Sequence, residues 1–274
     1  MEHKITAIVA TPERRIVSID LPVAPGVRSS HRAAMQPQKV VVATITLARN
    51  NAEERSLSTA LRKLAACNLP IIAADGGSSA QFANELKQTG ISVIKPRIKG
   101  LVPQVKTSLA AALEGFPDRF ILYTEPDKYP FFEGPLLKFV QLAKASRSFG
   151  VTIAARDKRS FKTFPKGQQW AEMFMNQAAE FAFNNNTATE PPDYCYGPLL
   201  LSPAAAKLAL DSPDDIGWGW RFFTMARTKQ SSLTLRSIPL NLPCPKEQRG
   251  EDSRADRFYR IKQLRQNLAA LEAV

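Results

Sequence analysis

The stretch Arg119-Phe-Ile-Leu-Tyr-Thr-Glu-Pro-Asp-Lys-Tyr-Pro-Phe131 decides the fold. Its first part, Phe120 to Tyr123, is a short apolar run with the length and composition of a buried strand. The run stops at Glu125-Pro126-Asp127, where proline lacks an N–H and disfavours helix in the residue before it. We therefore expect a strand that ends in a fixed turn carrying two carboxylates. Open α/β sheets bind ligands at the carboxyl ends of their strands.

Apolar strands and amphipathic helices alternate on both sides of this stretch. Strands are predicted over residues 40–47, 71–74, 91–94 and 151–155. Helices are predicted over residues 53–66, 79–88, 101–114 and 132–146. Strands that alternate with helices form a mostly parallel sheet with helices on both faces. The fold class is therefore α/β, with three α/β/α layers around that sheet.

The rest of the chain adds an N-terminal segment and a less regular second half. Residues 1–38 are predicted to be an arm or hairpin, and residues 39–274 a single domain, because no linker interrupts them. The second half is predicted to contain strands at 194–201 and 233–240, and helices at 168–183, 203–210 and 214–228. A basic C-terminal helix follows, with Asp252 as its expected cap and Phe258, Ile261, Leu264 and Leu268 on one face.

Composition limits the class of protein. The chain has 274 residues, of which 44% are hydrophobic, enough for a substantial core. Its three cysteines have no C-x-x-C spacing, and an odd count favours a reducing compartment. Because no apolar run reaches the ~18 residues of a membrane span and the N-terminus has no secretory pattern, we expect a cytoplasmic protein.

The formal charge of +12 predicts attraction to phosphates. Those phosphates can belong to nucleotides, to nucleic acids or to lipids, and contact with a membrane surface stays open as an alternative. No RNA-binding signature with interleaved aromatic residues is present, so no specific nucleic-acid partner is expected.

Five landmarks follow one another in a fixed order. They are Asn50-Asn51 after the first strand, Asp75-Gly-Gly-Ser78, Lys99-Gly100, Glu125-x-Asp127 and Gly217-Trp-Gly-Trp220. This succession resembles the GT-A fold glycosyltransferases that carry an Asp-Gly-Gly-Ser turn and a D-x-D motif. The resemblance covers roughly residues 39–228. It implies a nucleotide-binding half over residues 39–155 and an acceptor-side half over residues 156–274.

The resemblance also implies a binding site for a nucleotide-sugar donor. Asp75 would accept hydrogen bonds from the base or ribose, while Gly76 and Gly77 allow close approach of the backbone. A capping turn without a ligand is the competing interpretation. The donor-binding residues implied in this way are Thr46, Asn50, Asp75, Gly76, Gly77, Lys99, Gly100, Glu125, Asp127 and Lys128.

Glu125 and Asp127 occupy the D-x-D position, which in the family holds a divalent metal that bridges the diphosphate of the donor. Mg²⁺ or Mn²⁺ would suit such oxygen ligands, with Asp127 as the direct ligand and Glu125 as a ribose or outer partner. Some family members add a histidine ligand, but the histidines here are His3 and His31, far from the second half. Lys128 and the basic loops offer a way to neutralise a diphosphate without metal.

The Gly217–Trp220 motif resembles the acceptor-side loop of some members. Trp218, Gly219 and Trp220 are therefore the expected acceptor-binding residues, with core packing of the tryptophans as the alternative. In those relatives an acid after the motif removes the acceptor proton, and here Arg221 stands in its place. Asp214 and Asp215 are the substitutes predicted as catalytic base, with N-capping as the alternative.

These observations favour a hexosyltransferase-like enzyme that moves a sugar from a nucleotide-diphosphate donor to an acceptor hydroxyl, with inversion. The acceptor can be a glycan, a lipid or a small molecule. The main alternative is a non-catalytic nucleotide- or glycan-binding protein on the same fold. A nucleotidyltransferase would place a Gly-rich loop with Arg and Lys after the first strand, where this chain has Leu47-Ala-Arg-Asn-Asn51. A nucleic-acid-binding protein is favoured by charge alone.

Overall fold

The structure is a computed structural model that describes residues 39–143, 149–183 and 191–274, and the backbone of residues 6–10 and 16–20. The chain divides into two compact units, Met1–Ala33 and Ala34–Val274. In the first unit, strand β1 (Thr6–Ala10) pairs antiparallel with β2 (Ile16–Asp20). Within the predicted domain of residues 39–274, residues 144–148 and 184–190 are not among those described.

The second unit is built on a seven-stranded sheet. Its spatial order is β5-β4-β3-β6-β8-β7-β9. The strands are β3 (Val40–Thr46), β4 (Ile71–Asp75), β5 (Ser92–Ile94), β6 (Phe120–Tyr123), β7 (Phe149–Arg156), β8 (Leu199–Leu201) and β9 (Thr234–Leu240). Neighbouring strands are parallel except at β8, which runs antiparallel to both β6 and β7. The predicted mostly parallel sheet is confirmed.

Helices connect these strands. In the described residues they are α1 (Asn51–Ala65), α2 (Ala80–Gln88), α3 (Leu101–Gly115), α4 (Tyr129–Phe132), α5 (Pro135–Leu142), α6 (Lys158–Phe161), α7 (Lys166–Ala182), α8 (Pro203–Leu210), α9 (Trp220–Gln230) and α10 (Arg254–Glu272). Short 3₁₀ turns cover Pro126–Lys128, Gly217–Gly219 and Lys246–Gln248. None of the helices described is long and apolar enough to cross a membrane.

The two faces of the sheet bury separate cores. Alternate residues of β3 point to opposite faces, so Val41 and Ala43 join a core with α3, α7, α8 and α9. Val40 and Val42 join the other core with α1, α2 and α5. The protein is therefore a three-layer α/β/α sandwich, as the alternating pattern predicts.

Several predicted elements differ from the structure at their ends. The strand predicted over residues 194–201 is confined to β8 (Leu199–Leu201), and the helix predicted over residues 214–228 begins only at Trp220. The helix expected over residues 132–146 is broken into α4 and α5, because Gly134 has a φ of 115°, in the left-handed region that a helix cannot continue. The predicted cap of the C-terminal helix, Asp252, is also wrong. Ser253 caps α10 and forms a capping box with Asp256.

Two glycines allow α10 to rest against the segment before α9. Gly217 has a φ of 54°, and a Cβ there would overlap the side chain of Gln266. A Cβ on Gly219 would overlap the backbone of Gln266 and lie 2.7 Å from the Cβ of Ala270. The spacing of the Gly217–Trp220 motif thus serves the packing of α10.

The strand order reverses between β3 and β6. The chain passes from β3 through α1 to β4 on one side, whereas β6 pairs with β3 on the other side. The carboxyl ends of β3 and β6 therefore lie at a switch point, where open α/β sheets form a ligand crevice. The loop after β6 is the acidic turn.

Candidate active site

The two acids of the turn have very different environments. Glu125 is only 6% exposed, and neither of its carboxylate oxygens has a hydrogen-bond partner among the residues described. The side chain of Asp127 is 59% exposed, and its Oδ2 lies 2.8 Å from the Nζ of Lys128. One acid is thus enclosed by protein, and the other is open to a ligand.

Two cations flank the buried acid. Arg221 Nη1 lies 4.0 Å from Glu125 Oε1, and Lys128 lies beside it, facing the ring of Tyr196. Burial raises the pKa of Glu125; Arg221 and Lys128 oppose this shift, Asp127 adds to it, and the pKa stays above its usual value.

Gly197 is what lets these groups come together. Its φ is 127°, and a Cβ there would lie 2.7 Å from Glu125 Oε2 and 2.9 Å from Arg221 Nη1. Any other residue would be strained and would push the acid and the guanidinium apart. The loop before β8 is therefore shaped around the Glu125–Arg221 pair.

The acidic turn opens into a cleft. Its walls come from α7, from the loop before β8, from the start of α9 and from α10. Besides Glu125, Asp127 and Lys128, the polar and aromatic residues that shape it include Gln168, Tyr196, Trp218, Arg221, Arg260 and Asn267. The ring of Trp218 is held at the edge, because its Nε1 donates to the hydroxyl of Tyr259 at 2.8 Å and the Arg221 guanidinium lies 5.5 Å from its centroid.

Behind one wall lies a buried ion cluster. Arg156 Nε is 2.6 Å from Asp193 Oδ2, and Arg156 Nη2 is 2.5 Å from Glu172 Oε2. Burial opposes ionisation of Asp193, but the guanidinium outweighs burial and holds its pKa below the usual value. Glu172 also accepts from Gln168 at 2.8 Å, so this cleft carboxylate is already engaged.

The predicted donor-binding residue Asp75 is saturated by its own turn and by Thr46 of β3. Its Oδ1 accepts from the hydroxyls of Thr46 at 2.9 Å and Ser78 at 2.6 Å. Its Oδ2 accepts from the N–H groups of Gly77 at 3.2 Å and Ser78 at 3.0 Å. A carboxylate has about four acceptor positions, so this geometry matches the capping interpretation of Asp75.

The two glycines of that turn differ. The space beside Gly76 is filled by Gln104, whose Nε2 would lie 2.6 Å from a Cβ and instead donates to the carbonyls of Thr46 and Ala74. Gly77 has a φ of 123°, and a Cβ on this residue would meet no atom within 4 Å. Of the two, only Gly77 leaves room for a ligand.

The other residues predicted on the donor side have local roles or are exposed. Asn50 caps α1 by accepting from the N–H groups of Ala52 and Glu53. Gly100 begins α3 with a φ of 138°, and Lys99 is exposed. None of these three residues lines the cleft of the acidic turn.

The predicted acceptor residues separate into two groups. Trp218 lines the cleft, whereas Trp220 is 0% exposed and packs edge-on against Tyr123 with ring centroids 4.6 Å apart. The expectation that Trp220 presents a stacking face is corrected by this burial, since its ring belongs to the core. Gly219, also expected on the acceptor side, is buried beneath α10.

The predicted bases Asp214 and Asp215 lie outside the cleft. Asp214 Oδ1 is 2.7 Å from the Nζ of Lys106, in a separate depression along α3. Asp215 is exposed, and neither side chain caps the following helix. The structure does not bring these acids together with Glu125 and Asp127.

The acids of the cleft fit one mode of metal binding. In the described part of the chain, no group of three or more His, Cys, Asp or Glu side chains could hold a metal ion. Mg²⁺ is commonly held by one or two carboxylates plus substrate phosphates, and the exposed Asp127 fits that mode. Glu125 does not fit as a direct ligand, because its oxygens are enclosed and face Arg221.

Sequence reasoning missed several residues of the cleft. Arg221 was noted as a departure from the family motif, and the structure turns it towards Glu125. Tyr196, Gln168, Arg260 and Asn267 carry no motif that marks them. Tyr196 reaches the acidic turn from the loop before β8, whereas Gln168, Arg260 and Asn267 reach it through the packing of α7 and α10.

The architecture is found in known structures, although no family model matches the chain and no curated protein matches it. It is similar to glucosyl-3-phosphoglycerate synthase from Mycobacterium tuberculosis in complex with Mn²⁺, uridine diphosphate and phosphoglyceric acid. The TM-score is 0.56 and the identity 14%, over 89% of this chain and 84% of that one. The chain has the GT-A fold.

Two further structures agree. A mycobacterial protein gives a TM-score of 0.58 at 14% identity, over 95% of this chain and 81% of that one. The same synthase with Mn²⁺, UDP-glucose and phosphoglyceric acid gives 0.52 at 14% identity, over 92% and 85%. The GT-A fold expected from the five sequence landmarks is thereby confirmed.

Proposed function

We propose that this chain is a glycosyltransferase that uses a nucleotide-diphosphate sugar as donor. The observation that carries the proposal is the acidic turn at the switch point of a GT-A fold, with Asp127 exposed in a cleft that also holds Lys128, Arg221 and Trp218. This combination offers a metal ligand, cations for a diphosphate and an aromatic edge for a sugar. A hexose is the sugar that we propose.

On the donor side, Asp127 would hold Mg²⁺ or Mn²⁺. Such an ion, when bound, would neutralise charge that develops on the leaving diphosphate. Lys128 lies next to Asp127 and can move from its carboxylate to a phosphate, because both are anionic. The similar synthase was crystallised with Mn²⁺ or Mg²⁺ and uridine diphosphate, which makes UDP the first nucleotide to test.

In this proposal Glu125 acts on neighbouring side chains and does not touch the donor. Its buried charge lies beside Arg221 and Lys128, and removing it would leave Arg221 without its ion-pair partner among the described residues. We infer that Glu125 orients these cations towards the cleft. The contact with a ribose that the family resemblance implies would require Glu125 to turn outward.

On the acceptor side, Trp218 lies near two guanidinium groups, those of Arg221 and Arg260. These cations suit an acceptor that carries a carboxylate or phosphate as well as a hydroxyl. Phosphoglyceric acid, bound in the similar synthase, has this chemistry. We propose an anionic acceptor of this class.

Inversion needs a base that reaches the acceptor hydroxyl. Among the described residues, the carboxylates that line the cleft are Glu125, Asp127 and Glu172, and Glu172 is engaged by Arg156. Asp214 or Asp215 would serve only after the segment before α9 moves. The anomeric configuration of the product, read by NMR, tests inversion directly, and a product with the configuration of the donor would contradict it.

Nucleotide binding is the first test. We expect one of UDP, GDP, CDP and dTDP to raise the melting temperature, and the rise to depend on Mn²⁺ or Mg²⁺ and to disappear with EDTA. Ligand at 100 times its dissociation constant stabilises the native state by about 2.7 kcal/mol. Asp127→Asn should abolish the shift.

Asp118→Asn is the matched control, because Asp118 is an exposed acid at the opposite end of the same strand. The control should keep the full shift. Absence of a shift with all four nucleotides would contradict the donor site. A shift without any release of sugar from the donor would instead favour the non-catalytic binding protein.

A further inference from the structure

The outer face of α10 combines positive charge with exposed apolar side chains. Phe258 is 59% exposed and Ile261 is 54% exposed. They share one row of the helix with Arg254 and Arg265, since the row follows the spacing i, i+4, i+7 and i+11. Arg257 and Lys262 flank that row, and all four cations are exposed.

These cations have no acidic partner within the described ranges of the chain. The ion pair found on α10 belongs to Arg260, which faces Asp252 at 3.9 Å and not the outer row. The nearby acid, Asp256, is held by the backbone and hydroxyl of Ser253 in the capping box. The outer face is therefore a positively charged surface with two apolar side chains at its centre.

We propose that this face of α10 docks on an anionic lipid bilayer. A helix that lies on a membrane buries aromatic and aliphatic side chains at the level of the headgroups, while its Lys and Arg residues meet lipid phosphates. The four cations fit the negative surface of such a bilayer. Ile261 favours a bilayer over a nucleic acid, because an aliphatic side chain gains from hydrocarbon and not from a sugar–phosphate backbone.

The opposite edge of α10 lines the cleft. Arg260, Gln263 and Asn267 lie there, so docking would hold the cleft beside the membrane surface. If the chain is a glycosyltransferase, as proposed above, this position would bring the cleft close to an acceptor at the membrane. The docking itself does not rest on the proposed function, because it depends only on the exposed row.

Vesicle co-sedimentation of the full chain tests the docking. We expect binding to phosphatidylcholine vesicles that contain phosphatidylglycerol, little binding to pure phosphatidylcholine, and weaker binding as salt is added. The double variant Arg257→Gln/Lys262→Gln should lower the partition coefficient about 25-fold, at roughly fivefold for each cation. Phe258→Ser/Ile261→Ser should lower it more than about tenfold with every cation intact.

The matched control is Arg55→Gln/Arg62→Gln, which removes two exposed arginines from α1 on the other face of the sheet. It should keep nearly full binding. Circular dichroism melts of all variants establish that they fold, and the nucleotide shift is read separately, so failure of the donor site leaves this test intact.

Five outcomes would overturn the proposal. Four concern binding: no binding to anionic vesicles, an equal loss in the α1 control, full binding by Phe258→Ser/Ile261→Ser, and a preference for DNA or RNA that the α10 variants abolish. A dimer in solution that Phe258→Ser/Ile261→Ser dissociates would assign the face to a second copy of the chain, and would overturn it as well.

Discussion

Two acidic turns follow strands that flank β3, and they use their carboxylates in opposite ways. Asp75, the last residue of β4, accepts four hydrogen bonds from its own loop and from Thr46. After β6, Glu125 accepts none from the described residues, and Asp127 is exposed. An acid at a strand end can thus organise a loop or remain available to a ligand, and the count of satisfied oxygens distinguishes the two.

The difference has an energetic side. A buried polar group without a partner costs about 1–3 kcal/mol, and more if it is charged. The charge of Glu125 is stabilised chiefly by the field of Arg221 and Lys128, whereas Asp75 is stabilised by short contacts. The carboxylate of the turn after β4 therefore stabilises the fold. The carboxylates of the turn after β6 are the ones suited to chemistry. Four substitutions test this division.

The largest effect is expected for Asp127→Asn. Loss of the exposed carboxylate should reduce sugar transfer by at least about a hundredfold, the scale on which single electrostatic contacts to a transition state act. The melting temperature without ligand should be unchanged, because the side chain is exposed. The rate of sugar transfer is measured with the sugar donor of the nucleotide that thermal shift identifies. Full activity of the variant would show that Asp127 is not part of the site.

Asp75→Asn should act on stability instead. The amide places an N–H₂ group against N–H and O–H donors, so the turn loses acceptors that Gly77 and Ser78 need. We expect a loss of about 1–3 kcal/mol in the free energy of unfolding, measured with urea. If stability were kept while nucleotide binding disappeared, Asp75 would be a donor ligand and the two turns would be alike.

Glu125→Gln should change how stability depends on pH. The pKa of Glu125 is raised in the folded protein above its unfolded value of about 4.3, so its contribution to stability is present below that value and is lost as pH rises through the folded pKa. Glutamine does not titrate, so the variant does not lose stability in this way as pH rises. Its free energy of unfolding relative to wild type should therefore improve as pH rises, by about 1.4 kcal/mol for each pH unit between the two pKa values.

Urea melts of both proteins from pH 4 to pH 8, which roughly brackets that reference value, measure the difference. Arg221 loses its partner in the variant, which lowers the free energy of unfolding by a constant amount. Such a constant does not change how the difference between the two proteins depends on pH. A difference that stays flat with pH would show that Glu125 keeps an ordinary pKa, and the contrast with Asp75 would be weaker.

The smallest effect is expected for Asp214→Asn. Its ion pair with Lys106 is half-exposed, and such pairs contribute about 0–1 kcal/mol. Urea melts should show a change within that range. Transfer activity should persist if the base lies elsewhere, whereas a loss of a hundredfold would restore Asp214 as the base and require it to reach the cleft.

Local sequence pattern predicted most of the sheet. Apolar runs located β3, β4 and β6 to within a residue or two, and Pro126 marked where the acidic turn begins. The pattern did not distinguish Trp218 from Trp220, because both belong to one motif and the second is buried by core packing that includes the ring of Tyr123. Nor did it pair Arg221 with Glu125, since that contact depends on how α9 meets the sheet.

The same limit applies to the Asp-Gly-Gly-Ser turn. Its composition fits both a ligand site and a cap, and Gln104 decides between them for Gly76 by filling the space beside it. Gln104 lies on another helix, so no local pattern reveals it. Contacts between distant elements separate the two interpretations.

Gly76 and Gly219 have different evolutionary freedom. The obstacle beside Gly76 is the side chain of Gln104, so alanine at position 76 becomes acceptable when position 104 shortens, and the two positions should vary together among homologues. The obstacle beside Gly219 includes the backbone of Gln266, which no substitution removes. Position 219 should stay glycine in every homologue that keeps α10 in this place. A glycine there therefore indicates a homologue whose cleft keeps α10 as a wall.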